Sequence, residues 1–199
     1  MAAGNGQVSP LIRTPRLTLR LPEQRDCAEF IRAMRESADH LRPWSPRLPE
    51  AGADESFFAA TFSRARQEWD AGTGVRLLAF LADGTLAGTF NLNNIVRGVF
   101  QNADAGWSVM SECVGSGIAT EGVKAMLGLA FRAEPLGLGL HRVQANVIPG
   151  NAASLRVAHK CGFREEGLAR RMLMIDGRWQ DHVMFAKLAE EHADDQGAA

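Results

Sequence analysis

Apolar residues either alternate with polar ones or recur every three to four positions along most of the chain, and these two periods predict a mixture of strands and helices. A strand is expected at residues 17–21, within the segment LIRTPRLTLRLP, with Pro15 at its edge or start. Helical spacing follows at residues 25–38 and again at about 54–71, where Asp54 is the expected N-cap.

Three strand-like segments come next: VRLLAFLA, TLAGTFNLNNIV and FQNADAGWSVM, separated by Asp-Gly and Arg-Gly turns. Because short turns join antiparallel neighbours, these segments should form a meander. A helix to about residue 132 follows, and one face of it carries Ala119, Val123, Met126, Leu127 and Ala130.

The remaining pattern predicts a strand at HRVQANVI, a helix at NAASLRVAHKC and a closing hairpin with Asp176-Gly177 at its turn. The strand, helix, strand passage at 104–148 needs a crossover, so the fourth and fifth strands should be parallel. The predicted fold class is α/β (α+β): a mixed, mostly antiparallel twisted sheet with helices on both faces. We expect one domain at 11–188, with flexible tails at 1–10 and 189–199.

The segment VGSGIATEG, residues 114–122, places two glycines directly before the helix that runs to residue 132. The first N–H groups of a helix have no partner within it, and the helix dipole favours an anion there. Glycines allow the backbone to approach such an anion closely. An ordinary glycine turn is the alternative, and these nine residues alone do not separate the two interpretations.

Composition excludes several classes of function. With Lys+Arg 22 against Asp+Glu 23 and no basic run, a nucleic-acid partner is not expected. Three cysteines with neither metal-ligand spacing nor an even disulfide set favour a reducing cytoplasm, and the histidines form no metal-ligand cluster. We expect no secretory leader, no membrane span and no membrane partner, and a homodimer remains open.

The loop VGSGIA before a helix, together with NVIPGNAASLRVAHKCGF, resembles the acetyl-CoA-binding core of the GNAT acyltransferase superfamily, over roughly residues 11–188. The most specific part is N-x-x-S-x-x-x-x-x-K-C-G-F, from Asn151 to Phe163. Within the superfamily, HLRPWSP at 40–46 and IDGRWQDHVMFAKL at 175–188 are similar to the Rim-type (RimJ and RimL) N-terminal acetyltransferases, which modify ribosomal proteins.

The resemblance implies a GNAT fold whose fourth and fifth strands splay around acetyl-CoA, with the coenzyme A pyrophosphate as the anion at the loop. It implies an acetyl-CoA-dependent N-acetyltransferase whose acceptor is a protein N-terminus. The cofactor-binding residues that it implies are Val109, through its backbone N–H, and Val114, Gly115, Ser116, Gly117, Ile118, Ala119, Thr120, Asn151 and Ser154.

Val114 departs from the superfamily pattern, which usually has Gln or Arg at this position. A charge-assisted hydrogen bond is worth roughly 1.5–3 kcal/mol, so its loss should weaken cofactor binding about tenfold or more. The backbone amides of about 115–120 do not depend on this side chain, so we still expect binding.

Asn151 and Ser154 have two interpretations. Both could simply cap the following helix, with Asn151 at N-cap and Ser154 at N3. The resemblance implies instead that Asn151 bonds the pantetheine or its surroundings and that the Ser154 hydroxyl meets the departing sulfur. Many GNAT enzymes use a tyrosine as this acid, but the chain has no tyrosine, so Ser154 or a water it holds is the best candidate.

The general base is harder to assign. Strand alternation places Asp104, Gly106 and Ser108 on one face, and the resemblance implies an acidic residue of the acceptor side at Asp104; a solvated strand carboxylate is the alternative. RimL-type enzymes carry a glutamate where Leu173 stands, so that base does not transfer. An α-amino group with a pKa of about 7.7–8.0 tolerates a weak base, and Cys113 has no spaced His partner that would make it a nucleophile.

Two other functions remain open. A small-molecule amine acyltransferase, acting on an amino sugar, polyamine or amino acid or using a longer acyl donor, would have the same fold. A non-catalytic acyl-CoA-binding module would also fit Val114 and the unassigned base.

Overall fold

Eight strands form one sheet in the computed structural model, which describes residues 9–45 and 52–197. The strands are β1 (Leu11–Arg13), β2 (Thr18–Arg20), β3 (Val75–Phe80), β4 (Leu86–Val96), β5 (Asn102–Val109), β6 (Arg142–Val147), β7 (Arg164–Ile175) and β8 (Arg178–Leu188). Their order across the sheet is β1-β2-β3-β4-β5-β6-β8-β7. Every neighbouring pair is antiparallel except β5 and β6. These are the strands that were numbered fourth and fifth in the prediction, because the N-terminal segment forms two strands instead of one. The predicted mixed sheet and its parallel pair are therefore confirmed.

The helices are α1 (Cys27–Glu36), α2 (Ala38–Leu41), α3 (Glu55–Asp70), α4 (Ile118–Phe131), α5 (Ala152–Lys160) and α6 (Ala189–Gly197). The Asp54 carboxylate accepts the Phe57 N–H at 2.8 Å, so its predicted N-cap role is confirmed. Among the helices of the described ranges, none combines the length and the apolar character that crossing a bilayer requires.

Helices cover both faces of the sheet because each face presents apolar side chains. On one face, buried residues of α4 such as Val123, Met126 and Leu127 pack with Phe90 and Leu92 of β4. A second buried cluster lies between α1, α3 and the other face, and its members are Phe30, Ala33, Met34, Leu41, Ala53, Phe58, Leu78, Phe80, Leu86 and Met110.

The parallel pair separates before its strands end. Pairing between β5 and β6 runs from Asn102 and Arg142 to Ala105 and Ala145 and then stops. Beyond this point β5 stays paired with β4 as far as Val109, and β6 stays paired with β8 as far as Val147. The sheet therefore opens between β5 and β6 at their carboxyl ends, which is the predicted splay.

The N-terminal segment differs from the single strand that was predicted at residues 17–21. It forms two short strands, β1 and β2, which pair antiparallel across a turn at residues 14–17. The Thr14 N–H donates to the Leu17 carbonyl and the Leu17 N–H donates to the Thr14 hydroxyl, both at 2.9 Å. Threonine followed by proline favours a turn, so Pro15 lies inside this hairpin instead of at the edge or start of a longer strand.

The predicted C-terminal tail at 189–199 was wrong for most of its length, because residues 189–197 form α6. The Leu188 N–H donates to the Glu191 carboxylate at 2.8 Å, and Arg164 forms an ion pair with the same residue. The ring of His192 also packs against Phe131, with centroids 5.2 Å apart. These tertiary contacts, and not an apolar period, hold the helix. Residues 1–8 of the predicted N-terminal tail and residues 198–199 lie outside the described residues.

Two glycines of α4 make a matched test of this packing. A Cβ on Gly122 would stand 2.1 Å from the Phe90 ring, whereas a Cβ on Gly128 would meet nothing within 4 Å. We expect Gly122→Ala to lower the free energy of unfolding by about 1–3 kcal/mol through overpacking. Gly128→Ala should raise it by roughly 0.5–1 kcal/mol, since alanine favours a helix over glycine. Urea denaturation measures both changes, and a Gly122→Ala variant as stable as the wild type would contradict this packing.

Candidate active site

The separation of β5 from β6 opens a cleft of about 580 Å³. The elements that line it include the end of β5, the start of α5, and the segment at residues 114–120, here called the glycine loop. Val109, Val114, Gly115, Gly117, Ile118, Ala119, Thr120, Asn151 and Ser154 are the sequence-predicted residues that line this cleft. Ser116 belongs to the same loop, although its side chain turns back and donates to the Cys113 carbonyl at 2.5 Å.

The glycine loop presents a row of free backbone donors. Gly115 and Gly117 have φ values of 78° and 83°, which glycine adopts at no steric cost. Gly117 is the N-cap of α4, and no side chain caps this helix. Within the described residues, the N–H groups of residues 115–120 have no hydrogen-bond acceptor, whereas the next one, of Glu121, donates to the Gly117 carbonyl at 3.2 Å. Donors left free at a helix N-terminus fit a bound anion such as a phosphate.

The end of β5 contributes two further backbone donors. The Met110 N–H donates to the Ala87 carbonyl at 2.9 Å, so alternate residues of β5 bond to β4. The N–H groups of Trp107 and Val109 therefore point the other way, towards β6, where pairing has already ended. Donors in this position can hold a carbonyl oxygen inside the cleft.

Asn151 and Ser154 lie where the sequence predicts, at the start of α5. The Asn151 carboxamide oxygen accepts the Ser154 N–H at 3.0 Å, which confirms the N-cap. Both side chains also line the cleft, so capping does not remove them from it. Within the described residues the Ser154 hydroxyl has no hydrogen-bond partner, and it remains available to a bound group.

A second cavity, of about 540 Å³, lies on the opposite face of the sheet from α4, under α1 and α3. Phe30, Met34, Leu41, Phe57 and Leu78 make its walls largely apolar. Its polar lining comes from Arg42, Ser45, Thr61, Arg76, Thr89, Asn91, Ser108 and Asp176.

The cavity and the cleft meet. Leu41, Ser45 and Ser108 line both, so the two spaces adjoin at these residues. Trp44, from the segment singled out at 40–46, also lines the cleft, and Pro46 of that segment lies outside the described residues. A molecule held in the cavity would therefore lie next to one held in the cleft.

Asp104 is not brought to the cleft with Ser154. Its carboxylate accepts hydrogen bonds from the side-chain amides of Asn94, at 2.9 Å, and Gln144, at 3.2 Å. Asp104 lines neither the cleft nor the cavity, whereas Ser108, on the same face of β5, lines both. The base role of Asp104 stays a prediction, and its placement favours the alternative of a strand carboxylate.

Cys113 lines the cleft but has the properties of an unreactive thiol. Only 7% of its surface is exposed, and this burial raises the pKa of the thiol above its ordinary value. The thiolate needed for nucleophilic attack is therefore disfavoured at neutral pH.

Sequence reasoning missed several residues that line the cleft, among them Ser108 and His182. Strand alternation places Ser108 on the same face as Asp104, and this pattern could have identified Ser108 as a candidate site residue. His182 is 2% exposed, and its Nδ1 lies 3.0 Å from the Gln180 carbonyl oxygen. Nothing in its local sequence indicates the cleft, because β8 reaches it only through its pairing with β6.

Comparison with known proteins gives a consistent result. The family model "Acetyltransferase (GNAT) domain" matches residues 16–164. The Bacillus subtilis protein "Probable N-acetyltransferase YjcK" is 41% identical over 107 residues, which are 54% of this chain and 57% of that protein, so the match spans less than two thirds of its length.

Two further similarities extend over nearly the whole chain. The Escherichia coli ribosomal protein uS5-alanine N-acetyltransferase is 30% identical over 176 residues, or 88% of this chain and 89% of that protein. The structure of Mycobacterium smegmatis RimJ in complex with CoA-disulfide superposes with a TM-score of 0.79 at 31% identity, covering 95% of this chain and 94% of that one.

Proposed function

The chain belongs to the GNAT acetyltransferase family, and from this premise we propose that it transfers an acetyl group from acetyl-CoA to the N-terminal α-amino group of a protein. The observation that carries the proposal is the glycine loop, whose N–H groups at residues 115–120 lack acceptors within the described residues beside an opened sheet. Such a row of donors is complementary to a pyrophosphate.

Acetyl-CoA would supply an acyl group activated as a thioester. Residues 115–120 would hold its pyrophosphate through backbone N–H groups, and Val114 would contribute packing alone, because its side chain has no donor. Asn151 lines the same cleft, where it would contact the pantetheine or its surroundings. The RimJ relative of known structure is described in complex with a coenzyme A disulfide, which supports this assignment.

Three groups of the chain would perform the transfer. The N–H groups of Trp107 and Val109 would polarise the acyl carbonyl, since they point into the opening without a strand partner. The Ser154 hydroxyl would donate to the sulfur as it leaves, because a thiolate is stabilised by an adjacent donor. Attack by the amine would be direct, as the buried Cys113 is a poor nucleophile.

The acceptor would enter through the apolar cavity under α1 and α3, which meets the cleft at Ser108. A protein acceptor is favoured by the hairpin whose turn residue Asp176 lines this cavity. Its cross-strand partners Met174 and Trp179 are 52% and 59% exposed, and a small amine would leave them uncovered. The E. coli relative acts, by its name, on an alanine of a ribosomal protein, which supports the same class of acceptor.

A panel of amines tests the proposal. The enzyme is incubated with acetyl-CoA and release of free thiol is followed, using peptides that begin with Ala or Ser, the same peptides with a blocked N-terminus and an internal lysine, and a polyamine or amino sugar. We expect turnover only with free N-termini, whose pKa of about 7.7–8.0 leaves a sizeable neutral fraction near neutral pH. Turnover on small amines or blocked peptides alone would replace this function with a small-molecule or lysine acyltransferase.

Ser154→Ala should lower kcat by about 10- to 100-fold with little change in the KM for acetyl-CoA, because the contact is made mainly as the sulfur leaves. Ser154→Thr, which keeps the hydroxyl, should retain much of the activity. Steady-state kinetics and a single-turnover experiment separate chemistry from product release. If Ser154→Ala keeps wild-type turnover while chemistry is rate-limiting, Ser154 is only a residue of the helix cap.

Asp104→Asn decides between the two interpretations of that carboxylate. Because Asp104 lines neither the cleft nor the cavity, we expect kcat/KM to fall by less than about threefold and the pH profile to keep its acidic limb. A loss of roughly 100-fold together with loss of that limb would instead make Asp104 the general base.

A further inference from the structure

The turn between β1 and β2 is bonded directly to the glycine loop. Arg16 is the centre of this contact: its Nε donates to Glu121 Oε2 at 2.6 Å, and its Nη1 donates to the Ser116 carbonyl at 2.7 Å. Its backbone N–H donates to Glu121 Oε1 at 3.0 Å, and the Thr14 hydroxyl donates to the same oxygen at 2.5 Å. Residues about 100 positions apart in the chain thus converge on the start of α4.

Glu121 creates an electrostatic problem at this place. It lies in the first turn of α4, beside the free N–H groups that would receive a pyrophosphate. Burial alone would raise its pKa, but the hydrogen bonds from Thr14 and Arg16 outweigh burial and hold the pKa below the ordinary value. Glu121 is therefore an ionised carboxylate, with 15% of its side chain exposed, and without a counter-charge it would repel a phosphate.

Arg16 is placed to remove that repulsion. Its guanidinium neutralises Glu121. Its Nη2 also lies close to Gly117, the N-cap of α4: a Cβ added to this glycine would be 3.4 Å from Nη2. Within the described residues Nη2 has no hydrogen-bond partner, so it can donate to a bound anion. The side chain of Val114, at the start of the loop, has no hydrogen-bond donor.

We propose that Arg16 is a positioning residue for the coenzyme A pyrophosphate: it cancels the charge of Glu121, fixes the loop through the Ser116 carbonyl, and supplies the donor that Val114 lacks. This inference rests on the proposed function. Part of the affinity for coenzyme A would then come from the β1–β2 turn, which is far from the glycine loop in the sequence and contacts it only in the folded chain.

Four variants test the inference: Arg16→Met, Arg16→Lys, Glu121→Gln and the double variant Arg16→Met/Glu121→Gln. Arg13→Met is the matched control, because Arg13 is an exposed arginine at the end of β1, three positions from Arg16. Calorimetric titration with coenzyme A gives Kd. Kinetics with acetyl-CoA and with S-acetylpantetheine, which has no pyrophosphate, show which part of the donor is affected, and thermal melting verifies folding.

We expect Arg16→Met to raise the Kd for coenzyme A about tenfold or more, as for loss of a charge-assisted contact. The kcat/KM with S-acetylpantetheine should stay within about twofold of the wild type, as should every value of Arg13→Met. Adding Glu121→Gln to Arg16→Met should recover much of the affinity, because it removes the uncompensated charge, and Arg16→Lys should lie between Arg16→Met and the wild type.

Three results would overturn the inference: an unchanged Kd in Arg16→Met, an equal loss with both acyl donors, or a double variant that binds more weakly than Arg16→Met. The last two results would show that Arg16 and Glu121 only hold the loop in place, since each hydrogen bond removed would then weaken binding further. Failure of the proposed function has a different signature, since the wild-type protein itself would then bind no coenzyme A.

Discussion

Backbone pairing between β5 and β6 ends at Ala105 and Ala145, and the rest of the site depends on the separation of the two strands beyond these residues. Each strand remains bonded on its other side, so both halves of the sheet stay intact on either side of the gap. Unpaired backbone N–H groups inside a fold require a partner, and at Trp107 and Val109 the chain provides none from the neighbouring strand. A polar ligand bound in the gap would satisfy them.

The crossover between β5 and β6 places the glycine loop at the same end of the sheet. A parallel pair needs a long connection, and this connection contains the glycine loop and continues as α4. The free amides at the start of α4 and those at the end of β5 consequently lie along one cleft. Gly122 brings α4 close enough to the Phe90 ring that any larger side chain would displace the helix.

The acceptor side shares this framework. The Ser111 N–H donates to the buried Ser37 hydroxyl at 2.9 Å, and Arg32 of α1 donates to Glu112 at 2.9 Å. Ser111 and Glu112 belong to the 3₁₀ turn that immediately precedes the glycine loop. Helix α1 and Ser37, which follows it, are thus bonded to the turn that leads into the glycine loop, and Ser108 lines both the cavity and the cleft.

Most of the fold could be predicted from the sequence, because the residues that determine its helices, strands and turns act on their neighbours in the chain. Asp54, Asn151 and the Asp176-Gly177 turn act within a few residues, and the crossover rule sets the parallel pair. The errors occurred where tertiary contacts decide: α6 depends on Arg164 and Phe131, and the β1–β2 turn is bonded to Glu121. The same limit applies to the site. The glycine loop has a sequence signature, whereas His182 enters the cleft only through strand pairing, and the placement of Asp104 outside it follows from its bonds to Asn94 and Gln144.

The proposed function requires that backbone N–H groups at the end of β5 and the start of α4 hold coenzyme A. Titrating ¹⁵N-labelled protein with coenzyme A and following amide resonances by NMR tests it most directly. We expect saturable shifts for the amides of residues 115–120 and for Trp107 and Val109, with little change at residues 97–101, which join β4 to β5 at the end of β5 opposite the cleft. Saturable binding that leaves those amides unshifted, or the absence of any saturable shift, would contradict it.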